Sequence, residues 1–180
     1  MKTQSNVISL VTQPRHRRLS ILRHAKAEEG DGDDLARKLN ERGLQDAARM
    51  GDFLKEKNWL PDLVLCSTAR RTRQTLGQLK VTIPTILASR AYLASAGEWM
   101  HLVQEADDTA QHILIVGHNP GLHQLTVTLA GEYLYRDDEQ VITTKFPTCT
   151  FVSLELPIKR WRELSPASGK LDLLAVGSKL

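Results

Sequence analysis

Short β-rich apolar runs alternate along this chain with longer stretches in which apolar positions recur every three or four residues, and that alternation predicts an α/β sandwich. Leu19 to Leu22 predicts a first strand. After an acidic, glycine-containing loop from Glu28 to Asp34, the residues Leu35, Leu39, Gly43, Ala47, Met50 and Leu54 fall on one helical face. Asp33 and Asp34 at its start and Lys55 and Lys57 at its end suit the helix dipole. Pro61 breaks the chain, and Leu63 to Cys66 is an uninterrupted apolar run, the pattern of a strand buried on both faces.

Ser67 or Thr68 is predicted to cap the next helix, whose inner positions are Ala69, Thr72, Leu76 and Leu79. Val81 to Leu87 is strand-like but interrupted by Pro84, which marks an edge strand. Ser95 and Glu98 have the spacing of a capping box for a helix through Trp99, Leu102 and Val103. Ile113 to Val116 predicts a central strand, followed by Gly117-His118-Asn119-Pro120 and a helix from Gly121 to about Ala130 with Pro120 in its first turn. Phe151 to Leu156 and Leu171 to Val176 predict two late strands, separated by a loop holding Pro157, Pro166 and Gly169.

Composition narrows the class. With 180 residues, 41% of them apolar, the chain can bury a core without disulfides or a structural metal. Its two cysteines, Cys66 and Cys149, suit a reducing compartment, so a cytoplasmic location is expected. The net charge of +3 is too small for a nucleic-acid field. A membrane span is not expected either: the stretch from Thr109 to Gly131 lacks Asp, Glu, Lys and Arg, yet three histidines, Asn119 and Pro120 interrupt it. The basic residues Arg15, His16, Arg17 and Arg18 follow Pro14 with no apolar signal core, so residues 1–18 read as a solvated extension before a single domain, 19–180.

Candidate chemistry lies just past three of the strands, at Arg23-His24, at Ser67 to Arg71, and at Gly117-His118-Asn119. In an open α/β sheet, ligands bind outside the carboxyl ends of the strands, so these groups can converge. Arg70 and Arg71 fall in the first turn of a helix, where positive charge opposes the dipole. A bound anion removes the conflict. Two histidines with arginines around a phosphate point to phosphoryl transfer through a neutral imidazole, with His24 the candidate nucleophile and His118 a second phosphate ligand. Taken singly, a strand-end histidine or the run Arg70 to Arg73 has an ordinary structural explanation; the shared position at the strand ends joins them.

These residues resemble the histidine phosphatase superfamily, and within it the small SixA-type phosphohistidine phosphatases, over nearly the whole chain. Leu22-Arg23-His24-Ala25-Lys26 is similar to the Arg-His-Gly motif, Arg37-Lys-Leu and Arg42-Gly43-Leu-Gln to the helix after it, Ser67 to Thr75 to the Ser-x-x-x-Arg-Ala-x-Gln-Thr element, and Val116-Gly-His118-Asn-Pro-Gly121 to the Gly-His motif. The resemblance implies a three-layer α/β/α sandwich around a mostly parallel sheet, of the phosphoglycerate-mutase-like type. It implies that His24 accepts the phosphoryl group, that Arg23 and Arg71 bind its oxygens, and that His118 completes the pocket, with no metal or organic cofactor. Arg71 matches the family arginine, which leaves Arg70 on the rim. Ser67 and Asn119 are further candidates for substrate binding. Arg37 either faces the phosphate or pairs with Asp33 or Asp34. The departures are Ala25 for Gly and Thr72 for Ala, and neither removes a catalytic group.

The partner implied is a phosphorylated protein, its phosphohistidine taking part in signal transduction, or a small phosphate ester. A small-molecule phosphomonoesterase and a non-catalytic phosphoprotein-binding module are the alternatives, and keeping both His24 and His118 argues against the second. A cysteine phosphatase fails on spacing, since the position it requires for arginine after Cys66 is Thr72. A metal hydrolase lacks any His-carboxylate spacing of the H-E-x-x-H kind, which leaves His112 and His123 as structural or surface residues. Larger family members carry a general acid in the segment matching Ser89 to Glu105. Glu98 is the candidate here, but its capping-box position commits it to the helix backbone, so no dedicated acid is expected.

Overall fold

The computed structural model describes residues 16–30, 32–131 and 145–180. Among the described residues ten strands and α-helices occur in chain order: β1 (Arg17–Arg23), α1 (Glu41–Glu56), β2 (Leu63–Ser67), α2 (Arg70–Gln78), β3 (Thr85–Ala88), α3 (Ala96–Gln104), β4 (His112–Gly117), α4 (Gly121–Ala130), β5 (Thr150–Leu156) and β6 (Lys170–Val176). The strands form one sheet in the order β3-β2-β4-β1-β5-β6. β1 to β4 pair in parallel, whereas β5 runs antiparallel to β1 and β6 antiparallel to β5.

Alternation along the central strands divides the apolar side chains between two cores. Ile21, Ile113 and Ile115 pack with Trp99 and Leu102 of α3 and with Leu122 and Leu125 of α4. Leu22, Leu114 and Val116 face the other way, against Ala47, Met50 and Leu54 of α1 and Leu79 just after α2. Helices therefore cover both faces, giving the expected three-layer sandwich around a mostly parallel sheet. β4 is central and buried throughout, and β3 is the edge strand that Pro84 announces.

Three expectations need correction. The first helix does not begin at Leu35: Asp34–Ala36 is a separate 3-10 turn, Ala27 and Leu39 form an isolated bridge, and α1 starts only after Asn40, whose side chain accepts from the Gly43 N–H at 2.8 Å. Leu35 shares the helical spacing by coincidence and is 41% exposed. α2 has Ala69 rather than Ser67 or Thr68 at its N-cap, and an alanine side chain has no acceptor for a cap bond; the Ser67 hydroxyl instead lies against His118. Arg17 and Arg18 belong to β1 rather than to a solvated extension. Arg17 is buried, its guanidinium donating to the carbonyls of Ala110, Asp108 and Lys159. Residues 1–15 of that extension lie outside the described residues.

Candidate active site

Register explains how the two histidine motifs meet. β1 and β4 pair in parallel with Arg23 opposite Gly117, so the next residues, His24 and His118, leave the sheet side by side. The His24 N–H still donates to the Gly117 carbonyl at 3.1 Å, and the two rings stand 5.3 Å apart between centroids. α2 supplies Arg71 and ties the loop after β1 in place. Thr75 Oγ1 accepts from the Ala25 N–H at 3.0 Å, and Gln74 Oε1 accepts from the Leu39 N–H at 2.8 Å.

Close packing needs glycine at two helix starts. A side chain at Gly43 would meet the Lys26 carbonyl oxygen at 2.0 Å, and one at Gly121 would meet the Ala94 carbonyl oxygen at 1.8 Å. Both helices are thereby drawn against the segments that border the pocket.

The pocket has a volume of about 560 Å³. Arg23, His24, Arg71, His118, Asn119 and Arg37 all line it, as do Lys26, Tyr92, Leu93 and Thr148. Ser67 lies behind, fully buried, with its Oγ 2.9 Å from His118 Nε2. Arg70 is exposed and does not line the pocket. Arg37 does both things open to it: it faces the pocket, and its Nε lies 2.9 Å from Asp34 Oδ1, an ion-pair contact without hydrogen-bond geometry.

Hydrogen bonding fixes which ring nitrogens are available. His24 Nδ1 lies 2.7 Å from the Ala25 carbonyl oxygen, which only accepts, so Nδ1 carries the proton and Nε2 keeps its lone pair. Burial pushes the His24 pKa down to about 4; the Ala25 carbonyl opposes this, and Arg71, Arg23 and Arg37 add to the fall. The ring is neutral at physiological pH. His118, pushed down to about 3 by burial and then by Arg71 and His24, is also neutral. The Ser67 hydroxyl accepts from the Ala69 N–H at 3.4 Å and, fully buried, has no acceptor for its own proton among the described residues other than His118 Nε2, to which it therefore donates. The His118 proton then sits on Nδ1, a buried donor with no partner among the described residues. Arg23 Nη1 and Asn119 Nδ2 both donate to the Phe146 carbonyl, at 2.5 and 3.0 Å, which sets Arg23 beside the histidines.

A neutral imidazole lone pair, an unpartnered N–H and three guanidinium groups can together receive a phosphoryl group and stabilise its charge. Among the described residues no group of three or more His, Cys, Asp or Glu is placed to hold a metal ion, and no helix is long and apolar enough to cross a membrane. His112 lies at the far end of the sheet, and His123 stacks on Phe146 with centroids 5.6 Å apart. Glu98 caps α3 as expected, accepting from the Ser95 N–H at 2.7 Å, and does not line the pocket. The acids that do line it are Glu28, Glu29 and Asp34. Asp34, which accepts from Arg71, and Tyr92, which donates to Asp34 and has its ring centroid 5.9 Å from the Arg71 guanidinium, are the residues that sequence reasoning left out of the site; Asp34 enters there only as an alternative ion-pair partner for Arg37, three residues on.

Known proteins resemble this chain in sequence and in fold. A family model described as histidine phosphatase superfamily (branch 1) matches residues 19–112, which include Arg23, His24 and Arg71 and end before His118. An uncharacterised protein of Mycobacterium tuberculosis is 34% identical over 154 residues, 83% of this chain and 96% of that one. A structure designated phosphohistidine phosphatase SixA from Nakamurella multipartitia superposes with a TM-score of 0.79 at 28% identity, covering 89% of this chain and 95% of that one. One of the same designation from Agrobacterium tumefaciens gives 0.75 at 27% identity, covering 89% and 97%.

Proposed function

The chain belongs to the histidine phosphatase superfamily, and on that premise we propose that it hydrolyses phosphohistidine on a signalling protein through a covalent intermediate at His24. The observation that carries this reading is the pairing of His24, neutral and held by its Nδ1 proton, with the unpartnered Nδ1–H of His118 across the arginine-lined pocket. In the first step the His24 Nε2 lone pair forms a bond to phosphorus as the bond to the substrate's imidazole nitrogen breaks, and the leaving imidazole takes a proton from water. In the second, water attacks phosphorus, the bond to His24 breaks, the proton released from the water passes to the hydroxide left by the first step, and inorganic phosphate leaves. Arg71 and Arg23 carry the charge on the transferring oxygens, and His118 donates to one of them. Asn119 and Arg37 border the same space, and Ser67 fixes the tautomer of His118 from behind.

The likeness in fold to structures designated SixA supports the substrate class. So does the commitment of Glu98 to its helix cap, since an imidazole leaving group needs little help from an acid. The cytoplasm is the proposed setting, in keeping with two buried free thiols. A hydrolysis panel of phosphohistidine peptide, aryl phosphate, phosphoserine and sugar phosphates tests the reading. Phosphohistidine and aryl phosphate are expected to turn over fastest, and a preference for an alkyl ester would move the function to a small-molecule phosphomonoesterase. Binding without turnover of any of them would make the protein a phosphoprotein-binding module. Because arginines and imidazole N–H groups supply the charge and the donors, EDTA is expected to leave the rate unchanged. Loss on chelation, restored by a divalent ion, would reject that account.

A further inference from the structure

Arg71 lines the pocket yet is only 2% exposed. Both of its Nη nitrogens are engaged by Asp34. Arg71 Nη1 donates to the Asp34 carbonyl oxygen at 2.5 Å, and Nη2 donates to Asp34 Oδ2 at 2.9 Å. The same Oδ2 accepts from the Tyr92 hydroxyl, while Oδ1 lies 2.9 Å from Arg37 Nε. Three oxygens of one residue are thus presented to two arginines and a hydroxyl, much as the three oxygens of a phosphoryl group would be. A guanidinium fork reads carboxylate and phosphate with the same geometry.

We propose that Asp34 is a resident anion that occupies Arg71 and Arg37 until the phosphoryl group of the substrate displaces it, and that it returns as inorganic phosphate leaves. The proposal rests on the phosphatase reading of the site. A buried guanidinium without a counter-charge is costly, and Asp34 meets that need between turnovers. A phosphate carries more charge than a carboxylate and so wins the exchange when present. The turn that carries Asp34 is built to move: it is three residues long, none of them buried, and the Asp34 side chain is 43% exposed. Its displacement opens no apolar core. Asp34 is accordingly a specificity-determining residue: it sets the affinity of the pocket for phosphate rather than reacting itself.

Affinity for inorganic phosphate, measured by calorimetry and as product inhibition of aryl phosphate hydrolysis, tests the exchange. Asp34→Asn keeps the shape of the side chain and removes the anion. It is expected to bind phosphate about tenfold more tightly, the weight of one hydrogen bond to a charged group, and to lower KM and the inhibition constant for phosphate together. Tyr92→Phe withdraws one donor from the carboxylate and is expected to tighten phosphate by a smaller factor, which also covers the case of an Asn variant that does not fold. Glu28→Gln removes a charge from the same pocket, but Glu28 pairs with Lys38 at 3.3 Å and not with an arginine. It is expected to change phosphate affinity by no more than about twofold, a surface-charge effect. Equal tightening in Glu28→Gln would replace exchange with a general field effect and overturn the proposal. So would weaker or unchanged binding in Asp34→Asn by a protein whose wild type binds phosphate and turns over, since Asp34 would then hold Arg71 in place for substrate. A wild type that neither binds phosphate nor hydrolyses an aryl ester would overturn the phosphatase reading itself.

Discussion

His24 at the carboxyl end of the sheet and His112 at its amino end have nearly the same burial, 8% and 9% exposed, and burial pushes the pKa of each down to about 4. They differ in their partners. His112 Nδ1 donates to the Leu60 carbonyl at 3.0 Å, and Nε2 lies 2.7 Å from the Ser20 hydroxyl, which in turn meets Ser153 at 3.3 Å. Trp59 Nε1 closes the chain on Ser153 at 2.9 Å. At His24 only Nδ1 is engaged, and Nε2 makes no hydrogen bond among the described residues. The arginines divide in the same way. Arg17 spends all three nitrogens on backbone carbonyls, whereas Arg71 holds a carboxylate on an exposed turn and has no partner for its Nε among the described residues. A depressed pKa and deep burial therefore do not separate a reacting histidine from a structural one. Unfilled hydrogen-bonding capacity at the edge of a cavity does.

The largest test of that contrast exchanges one histidine at a time. His24→Ala is expected to abolish turnover and to remove an acid-labile, base-stable phosphoryl label. His112→Ala is expected to keep the label and the rate, and to lower stability by about 1–3 kcal/mol, because Ser20 and the Leu60 carbonyl are left without their buried partner. Denaturant melts and a quenched labelling assay on the two variants check both halves. A label that survives in His24→Ala would remove the nucleophile assignment, and lost turnover in a folded His112→Ala would erase the distinction between the ends.

A smaller effect comes from titration. Each histidine has an ordinary pKa near 6.5 in the unfolded chain, against about 4 for folded His24 and His112 and about 3 for His118. Between those limits the unfolded state binds more protons, so the stability these groups contribute is complete above pH 6.5 and is lost as the pH falls towards 4 and then 3. Inorganic phosphate should act on one end alone. Its negative charge favours the protonated rings beside it, so the pKa values of His24 and His118 are expected to rise by about one pH unit. His112, at the far end of the sheet, is expected to stay put. NMR titration of the ring protons with and without phosphate reads this directly, and a matching rise at His112 would show that the two ends are not electrically separate.

Much of this arrangement was legible in the sequence, and what was not has a common physical cause. Apolar alternation identifies β1, β2 and β4, and the rule that ligands sit at strand ends collects His24, Arg71 and His118, because both depend on local pattern and connectivity. Asp34, Tyr92 and the late start of α1 depend on partners far along the chain. Asp34 meets Arg71 across 37 residues and Tyr92 across 58, and no spacing announces such pairs. Leu35 and Leu39 continue the helical period of α1, but the bridge from Ala27 to Leu39 and the cap at Asn40 override it, which is tertiary pairing winning over a local repeat. Arg17 looks like a tail residue for the same reason. Its carbonyl partners come from the loop before β4 and the segment after β5.

The smallest expected effect belongs to Glu98, and it bears on what kind of leaving group the carboxyl-end site can expel. An alkyl ester leaves as an alkoxide, which needs a positioned acid, whereas imidazole or an aryl oxide leaves with little assistance. Glu98 lies in the segment where the family resemblance leads one to look for that acid, but its carboxylate accepts from both the N–H and the hydroxyl of Ser95, and these bonds hold its pKa below the ordinary carboxylate value. A carboxylate so committed stays ionised and has no proton to give. Glu98→Gln should therefore cost a modest fall in melting temperature through the weakened cap and leave phosphohistidine hydrolysis as it was. Rates across a series of aryl and alkyl phosphates should fall steeply as the leaving-group pKa rises, with the same slope in wild type and variant. Fast phosphoserine hydrolysis in the wild type, lost selectively in Glu98→Gln, would mean that Glu98 leaves its cap to serve the pocket, and the substrate class would then have to be alkyl esters.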